Sequence, residues 1–350
     1  MTGLIGWRRG LALLGLGAIL YATACSGGSS QSSSSSSTGP GSLACKNGKI
    51  LIGVDKAQTG AASFFDIAGA RGMQIAIDEA NASGGVHGCK VDTVAGDSQS
   101  NPAVAAQVAQ SLIKQGVQML VVPDDFDQGI AAAQAGEKAG LLTLSGAASS
   151  TQFGKAVGPH FFSGGIPTAV LGTDAAKFAV SKGWKNAYFV INQSLAYFTE
   201  QDAAYRKQSG VTVVGEDVNN SFTAADFSST ITKIAAAKPD AIYDLLTFPP
   251  AGTFVKQLRA AGITTPVLGD VTLDTRELIP LAGPSGVQNV YYCTIAYWVA
   301  AGQDPSTDPG LTKFADQYQA KFGHFPEQTN APTAYLFFHA IFKALNQSGV

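Results

Sequence analysis

Charge is scarce in this chain. Asp, Glu, Lys and Arg make up 14% of its 350 residues, and the formal net charge is −2. Without a basic surplus to neutralise phosphates, there is no electrostatic case for nucleic acid as a partner. Cysteine is scarce too: four residues are too few for a disulfide scaffold. Past the N-terminal region, no run reaches the ~18 apolar residues of a spanning helix. Catalytic signatures are missing. The sequence contains no G-x-S-x-G, no H-E-x-x-H, no P-loop and no C-x-x-C. His87, His160, His324 and His339 are scattered without ligand spacing, so surface or helix positions are expected for them. Asp125-x-Asp127-x-Gly129 has part of a calcium-loop spacing but lacks the glutamate at the twelfth position. Acidic residues at a helix N-terminus, favoured by its dipole, are the plainer reading. No metal and no cofactor is expected.

What is present is apolar and small. The chain is 45% hydrophobic and carries 40 glycines, enough for a large core with tight turns. Its length suggests two domains. The first residues read as an address. Trp7-Arg8-Arg9 is followed by the short apolar run Leu11–Tyr21 and by Ala22-Thr23-Ala24-Cys25. That is the pattern of a cleaved signal peptide over residues 1–24. The cysteine makes it resemble a bacterial lipoprotein signal, which would leave Cys25 lipidated at the mature N-terminus. An ordinary signal with Cys25 incidental, or a twin-arginine signal on Arg8-Arg9, is the alternative. Residues 25–44 are almost entirely Ser, Gly, Thr, Gln and Pro, a flexible tether. Lipid, tether and body would hold a soluble domain at the outer face of the cytoplasmic membrane.

From Lys49 onward, apolar runs alternate with amphipathic stretches. Strands are predicted at Lys49–Val54, Lys90–Ala95, Val117–Val122, Leu141–Ser145, Ala187–Ile191, Val211–Glu216, Ala241–Leu246, Pro266–Gly269 and Val287–Cys293. Their Val, Ile, Leu and Tyr content suits parallel strands buried on both faces. Helices fill the gaps. Asn101-Pro102 reads as N-cap and first turn, and Gly116 ends that helix. Gln128–Ala139 stops at Gly140, and Ala251–Ala261 at Gly262. Repeated βαβ units imply right-handed crossovers and parallel sheets with helices on both faces. Nine strands are many for one sheet, so two α/β lobes are expected. Such sheets bind ligands beyond the carboxyl ends of their strands. The loops there, Gln58–Phe65, Pro123–Asp127, Gly146–Ser150, Asn192–Tyr197, Thr247-Phe248 and Asp270, mix small, hydroxyl, aromatic and carboxylate residues. That mixture suits a mostly apolar cleft, although Gly and Ser are also ordinary turn residues. Cys45 and Cys89 each precede one of the first two strands, and export permits oxidation, so they are expected to form a disulfide. Cys293 is expected to be a buried free thiol.

Several segments carry a family resemblance. Ile52-Gly53-Val54 with Gln58-Thr59-Gly60 is one, and Gly72–Asn81 followed by Gly84-Gly85-Val86-His87-Gly88 is another. Lys138–Leu142 running into Gly146–Ser149, and Gln257–Ile263, complete the set. In order and spacing they resemble the type I periplasmic substrate-binding proteins of ABC transporters, in the branched-chain amino acid (Leu/Ile/Val) binding family. The resemblance implies an α/β fold of two Rossmann-like lobes with parallel sheets flanked by helices, joined by a hinge and closing on a ligand. It implies one lobe over 45–164 and 294–350 and a second over 165–293. Family members usually run further past the last helix to finish the second lobe, so a missing C-terminal return is expected.

The resemblance also assigns a site. Ala147, Ala148 and Ser149 fall where the family holds an amino acid's charged end. Phe65 and Tyr197 fall near aromatic positions beside the ligand, and Asp270 near the acid that meets its amino group. Two positions depart. Phe126, between Asp125 and Asp127, replaces a Ser-rich loop that helps bind the carboxylate, and Thr247 replaces a tyrosine. Fewer hydroxyl donors and more negative charge disfavour a carboxylate there. A different amino acid, an amide or a more aromatic molecule is equally open. The function implied is a lipid-anchored, extracytoplasmic solute receptor for an ABC importer. Its partners would be a small molecule and the permease subunits, and a monomer is expected. A sensor that passes on ligand occupancy without transport is the alternative. An exported enzyme is a remote one, because no nucleophile–base pair is visible.

Overall fold

The computed structural model describes residue 43, residues 45–294 and residues 309–348. The predicted signal peptide, Cys25 and all of the tether except residue 43 lie outside the described residues.

The first half of the body alternates strand and helix without interruption. β1 (Lys49–Lys56), α1 (Ser63–Ala82), β2 (Lys90–Asp97), α2 (Pro102–Lys114) and β3 (Met119–Val121) are followed by α3 (Phe126–Lys138), β4 (Leu142–Ser145), α4 (Phe153–Val157) and β5 (Phe161–Ser163). The five strands form one parallel sheet in the order β2-β1-β3-β4-β5. Side chains alternate across it. Ile50, Ile52 and Val54 of β1 face one core, together with Met73, Ala76 and Ile77 of α1. Leu51 faces the other core, with Ala105, Ala109 and Leu112 of α2 and Ala132 and Ala133 of α3.

The second half repeats the plan. α5 (Thr168–Ser181), β6 (Asn186–Ile191), α6 (Ala196–Ser209), β7 (Thr212–Val218), α7 (Ser228–Ala237), β8 (Ala241–Leu245), α8 (Pro250–Ala260), β9 (Val267–Gly269), α9 (Leu278–Ala282) and β10 (Val290–Tyr292) follow in turn. Its sheet is parallel, in the order β10-β9-β8-β6-β7. Counted from its own first strand, this is the same order as in the first sheet. Tyr188, Val190 and Ile242 face a core with α7 and α8, and Phe189, Ile191 and Tyr243 face one with α5 and α6.

The chain then returns to the first sheet. α10 (Pro309–Phe322) and α11 (Asn330–Ser348) contribute Phe314, Tyr318, Tyr335, Phe338 and Phe342 to the core built on β1 and α1. α11 lies so close to α1 that a Cβ on Gly72 would stand 2.0 Å from the carbonyl oxygen of Ala331. Only glycine permits that approach.

All nine predicted strands are present, with ends shifted by one to three residues. A tenth, β5, was not predicted. It has three residues and one face partly in solvent, so it carries no apolar run. α3 begins at Phe126, two residues before its predicted start, because Asp125 caps it by accepting from the Gln128 amide at 3.0 Å. Asn101 caps α2 as expected, accepting from Ala103 and Val104. Cys45 and Cys89 are joined as a disulfide, their Cα atoms 5.9 Å apart. Cys293 is free and half-buried, with burial pushing its thiol up to about 12.

Candidate functional site

In an open parallel sheet of this order, the crevice opens where neighbouring strands send their helices to opposite faces. In the first sheet that point lies between β1 and β3, and in the second between β6 and β8. Beside these points, the segments that follow β1, β3, β4, β6 and β9 meet around a small cavity of about 40 Å³. Phe65, Asp124, Asp125, Ala147, Ser149 and Asn330 line it from the first lobe, and Leu195, Tyr197, Phe198 and Val271 from the second.

A buried charge network lies beneath the first-lobe wall. Lys56, the last residue of β1, is 3% exposed and reaches Asp124 at 2.6 Å and Asp66 at 3.5 Å. Asp66 also accepts from the Ala57 and Asp124 amides, each at 2.7 Å. Asp124 Oδ1 accepts from the Ser145 hydroxyl at 2.9 Å and the Ala147 amide at 3.0 Å. One lysine therefore serves two carboxylates, while Asp55 and Asp125 stand close by. Burial, reinforced by Asp66, pushes Asp55 up to about 8 despite Lys56. Burial and then Asp127 push Asp125 up to about 7. Neither carboxylate oxygen of Asp55 has a hydrogen-bond partner among the described residues.

The second-lobe wall is mostly apolar. Its acid, Asp270, is turned inward: it accepts from Gln201 Nε2 at 2.9 Å and from the Thr272 hydroxyl and amide at 2.7 and 2.9 Å. Burial raises it in spite of these bonds. Burial, then the nearby Asp270, holds the Tyr197 hydroxyl well above its ordinary value.

Polar contacts tie the lobes together around the cavity. Asp127 accepts from the Ala196 amide at 2.8 Å. Glu200 of α6 accepts from the hydroxyl of Ser150 at 2.7 Å, from the Thr151 amide and hydroxyl at 3.0 and 3.1 Å, and from Gln152 Nε2 at 3.0 Å. It also accepts from Thr168 at 2.5 Å. Burial opposes its ionisation, but these bonds outweigh that and hold it below the usual range.

Of the predicted site residues, Phe65, Ala147, Ser149 and Tyr197 meet at the cavity. The other four do not line it. Phe126 packs edge-on against Phe153 in the first-lobe core. Ala148 is buried in the same core. Thr247 is 2% exposed, its hydroxyl without a hydrogen-bond partner among the described residues, and Asp270 lies behind Tyr197. Sequence reasoning missed Asn330, Phe198, Val271 and the Lys56–Asp66 pair; Leu195 lies within the flagged loop Asn192–Tyr197. Phe198 and Val271 each adjoin a flagged strand-end residue, Tyr197 and Asp270. Lys56 and Asp66 gave no local signal. Among the described residues, no His, Cys, Asp or Glu group could hold a metal ion.

Two α/β lobes with one strand order, meeting near their switch points around a small cavity, define a two-lobe ligand-binding protein. The chain belongs to the periplasmic binding protein family, whose model matches residues 49–350. Members of this family are substrate-binding proteins, not enzymes. The chain is 26% identical over 304 residues to an amino acid binding protein of Pseudomonas aeruginosa, covering 86% of this chain and 79% of that one. It is 26% identical over 297 residues to Leu/Ile/Val-binding protein homolog 8 of Brucella abortus, covering 79% and 71%. Among solved structures it resembles the branched-chain amino acid transporter substrate-binding protein LivJ of Streptococcus pneumoniae, in complex with isoleucine. The TM-score is 0.76 at 26% identity, over 85% of this chain and 83% of that one. No described helix is long and apolar enough to cross a membrane.

Proposed function

We propose that this protein is the solute receptor of an ABC importer, held outside the cytoplasm by a lipid on Cys25. Its first lobe comprises 45–164 and 294–350 and its second 165–293. A small organic molecule, of the amino acid class or close to it, binds between Phe65, Ala147 and Ser149 on one side and Tyr197 on the other. The observation that carries this reading is the cavity near the paired switch points, where aromatic rings and a few polar groups converge from both lobes. Its small volume implies that the lobes part to admit a ligand and close over it.

Differential scanning fluorimetry of the chain against a metabolite library tests the binding step. At least one amino acid, amide or related compound is expected to raise the melting temperature in a saturable way. A library without a single stabiliser sinks the proposal. Metabolic labelling of the expressing cells with a fatty acid tests the anchor: label retained after Cys25→Ser excludes it.

A further inference from the structure

Amino acid receptors of this shape must hold a carboxylate, and the first-lobe wall here has little left to hold one with. The Ala147 amide, placed to meet such a group, already donates to Asp124 at 3.0 Å. The Ser149 hydroxyl donates to the Ala147 carbonyl at 3.1 Å, and the Ala148 amide points to Ser145 at 3.2 Å. The protein's own Asp124 thus occupies the Ala147 amide.

We infer that the ligand presents an ammonium or similar donor-rich cationic head, with no free carboxylate beside it, to the wall formed by Asp124, Asp125 and Ser149. This rests on the solute-binding reading above and narrows its ligand class. Three observations carry it. Beside the carboxamide of Asn330, what the wall still offers is acceptors: the lone pairs of Ser149 and the Asp125 carboxylate, whose Oδ1 serves only the α3 cap. Among the described residues that line the cavity none is cationic, and the nearest cation, Lys56, is buried and already shared between Asp66 and Asp124. The rings of Phe65, Tyr197 and Phe198 border the same space, and aromatic faces attract cations. Asp270, the second-lobe acid, is saturated by Gln201 and Thr272 and does not line the cavity. The cationic end therefore faces the first lobe. A carboxylate brought against Asp124 and Asp125 finds no cation among the described lining residues to compensate it, a selection against plain amino acids.

The test is calorimetric titration of the full chain with matched sets. One set is isoleucine, 2-methylbutylamine and 3-methylpentanoate; the other is benzylamine, benzamide and benzoate. At least one amine is expected to bind at least tenfold more tightly than the carboxylates of its set. Asp125→Asn keeps the α3 cap, since Asn caps as well as Asp. It is expected to weaken the amine at least tenfold without lowering the unliganded melting temperature. Isoleucine or benzoate binding as well as the amines overturns the inference and leaves the solute-binding reading standing. Amine affinity unchanged in Asp125→Asn overturns it as well. Silence from the amines alone overturns it, and silence from amines, amide and acids together counts against both readings.

Discussion

Phe64 at the start of α1 and Phe248 just beyond β8 stack across the two lobes, their ring centroids 5.1 Å apart and their planes at 23°. Each ring is anchored in its own lobe. Phe65 meets Phe64 edge-on at 5.2 Å, and Gln328 Nε2 donates to the Phe64 carbonyl at 3.1 Å. The stack is thus a contact made only when the lobes are together. Aromatic pairs contribute about 0.5–1.5 kcal/mol beyond their buried area. Phe64→Ala is therefore expected to favour the open form and weaken apparent ligand affinity about 2- to 10-fold. Small-angle scattering should show a larger radius of gyration for the unliganded variant. Equal radii together with equal affinities would exclude a role for the stack in closure.

Lys56 decides whether the first-lobe wall is tolerable at all. Removing one partner of a buried ion pair costs about 3–5 kcal/mol, because the other charge is left uncompensated. Lys56→Met preserves volume but strands Asp66 and Asp124. Equilibrium urea unfolding at pH 8 should show a loss of about that size. The loss should shrink at pH 5, where stranded carboxylates can take protons. A loss that is the same at both pH values would show that packing, not charge, is what Lys56 supplies.

The contrast between Val121 and Lys56 shows what was legible in the sequence. Val121 lies in a run of buried aliphatics, and such runs located every predicted strand because a parallel sheet buries both faces. β5 escaped because Phe161-Phe162-Ser163 is too short for a period, and Phe162 is half exposed. Site residues in strand-end loops, such as Ser149 and Tyr197, could be found by position alone. Lys56 and Asp66 could not, nor could their link to Asp124. Asp66 and Asp124 are 58 residues apart, and their meeting depends on β1 lying beside β3. Asn330 reaches the cavity only because α11 packs back onto α1.

The Cys45–Cys89 bridge ties the segment before β1 to the start of β2, across a sequence separation of 44. Closing a loop of that length in the unfolded chain is worth about 4 kcal/mol in the ideal-chain view. The paired Cys45→Ser, Cys89→Ser variant should unfold at lower temperature, and reductant should lower the wild-type midpoint but leave the variant unmoved. Reductant acting equally on both would mean that the bridge is not what it targets.

Asp55 is the group most out of place. It is fully buried in β1, and its carboxylate lacks a hydrogen-bond partner among the described residues. Burial first, and then Asp66, push it up to about 8 from an ordinary 3.8, with Lys56 pulling the other way and Asp97 adding to the rise. The sign of the consequence is fixed by proton counting. Between about pH 4 and 8 the folded chain keeps a proton on Asp55 that the unfolded chain has lost. Stability therefore falls as pH rises through that window, by at most about 1.4 kcal/mol per pH unit from this group. Above about 8 both states are ionised at this residue and the trend stops. Asp55→Asn has the same shape and nothing to titrate. Urea unfolding of both proteins from pH 4 to 9 should show the variant gaining steadily on the wild type up to about 8, then running parallel to it. A gap between them that is constant across the range would mean that Asp55 is ionised in the fold throughout, with a compensating partner that the buried network does not display.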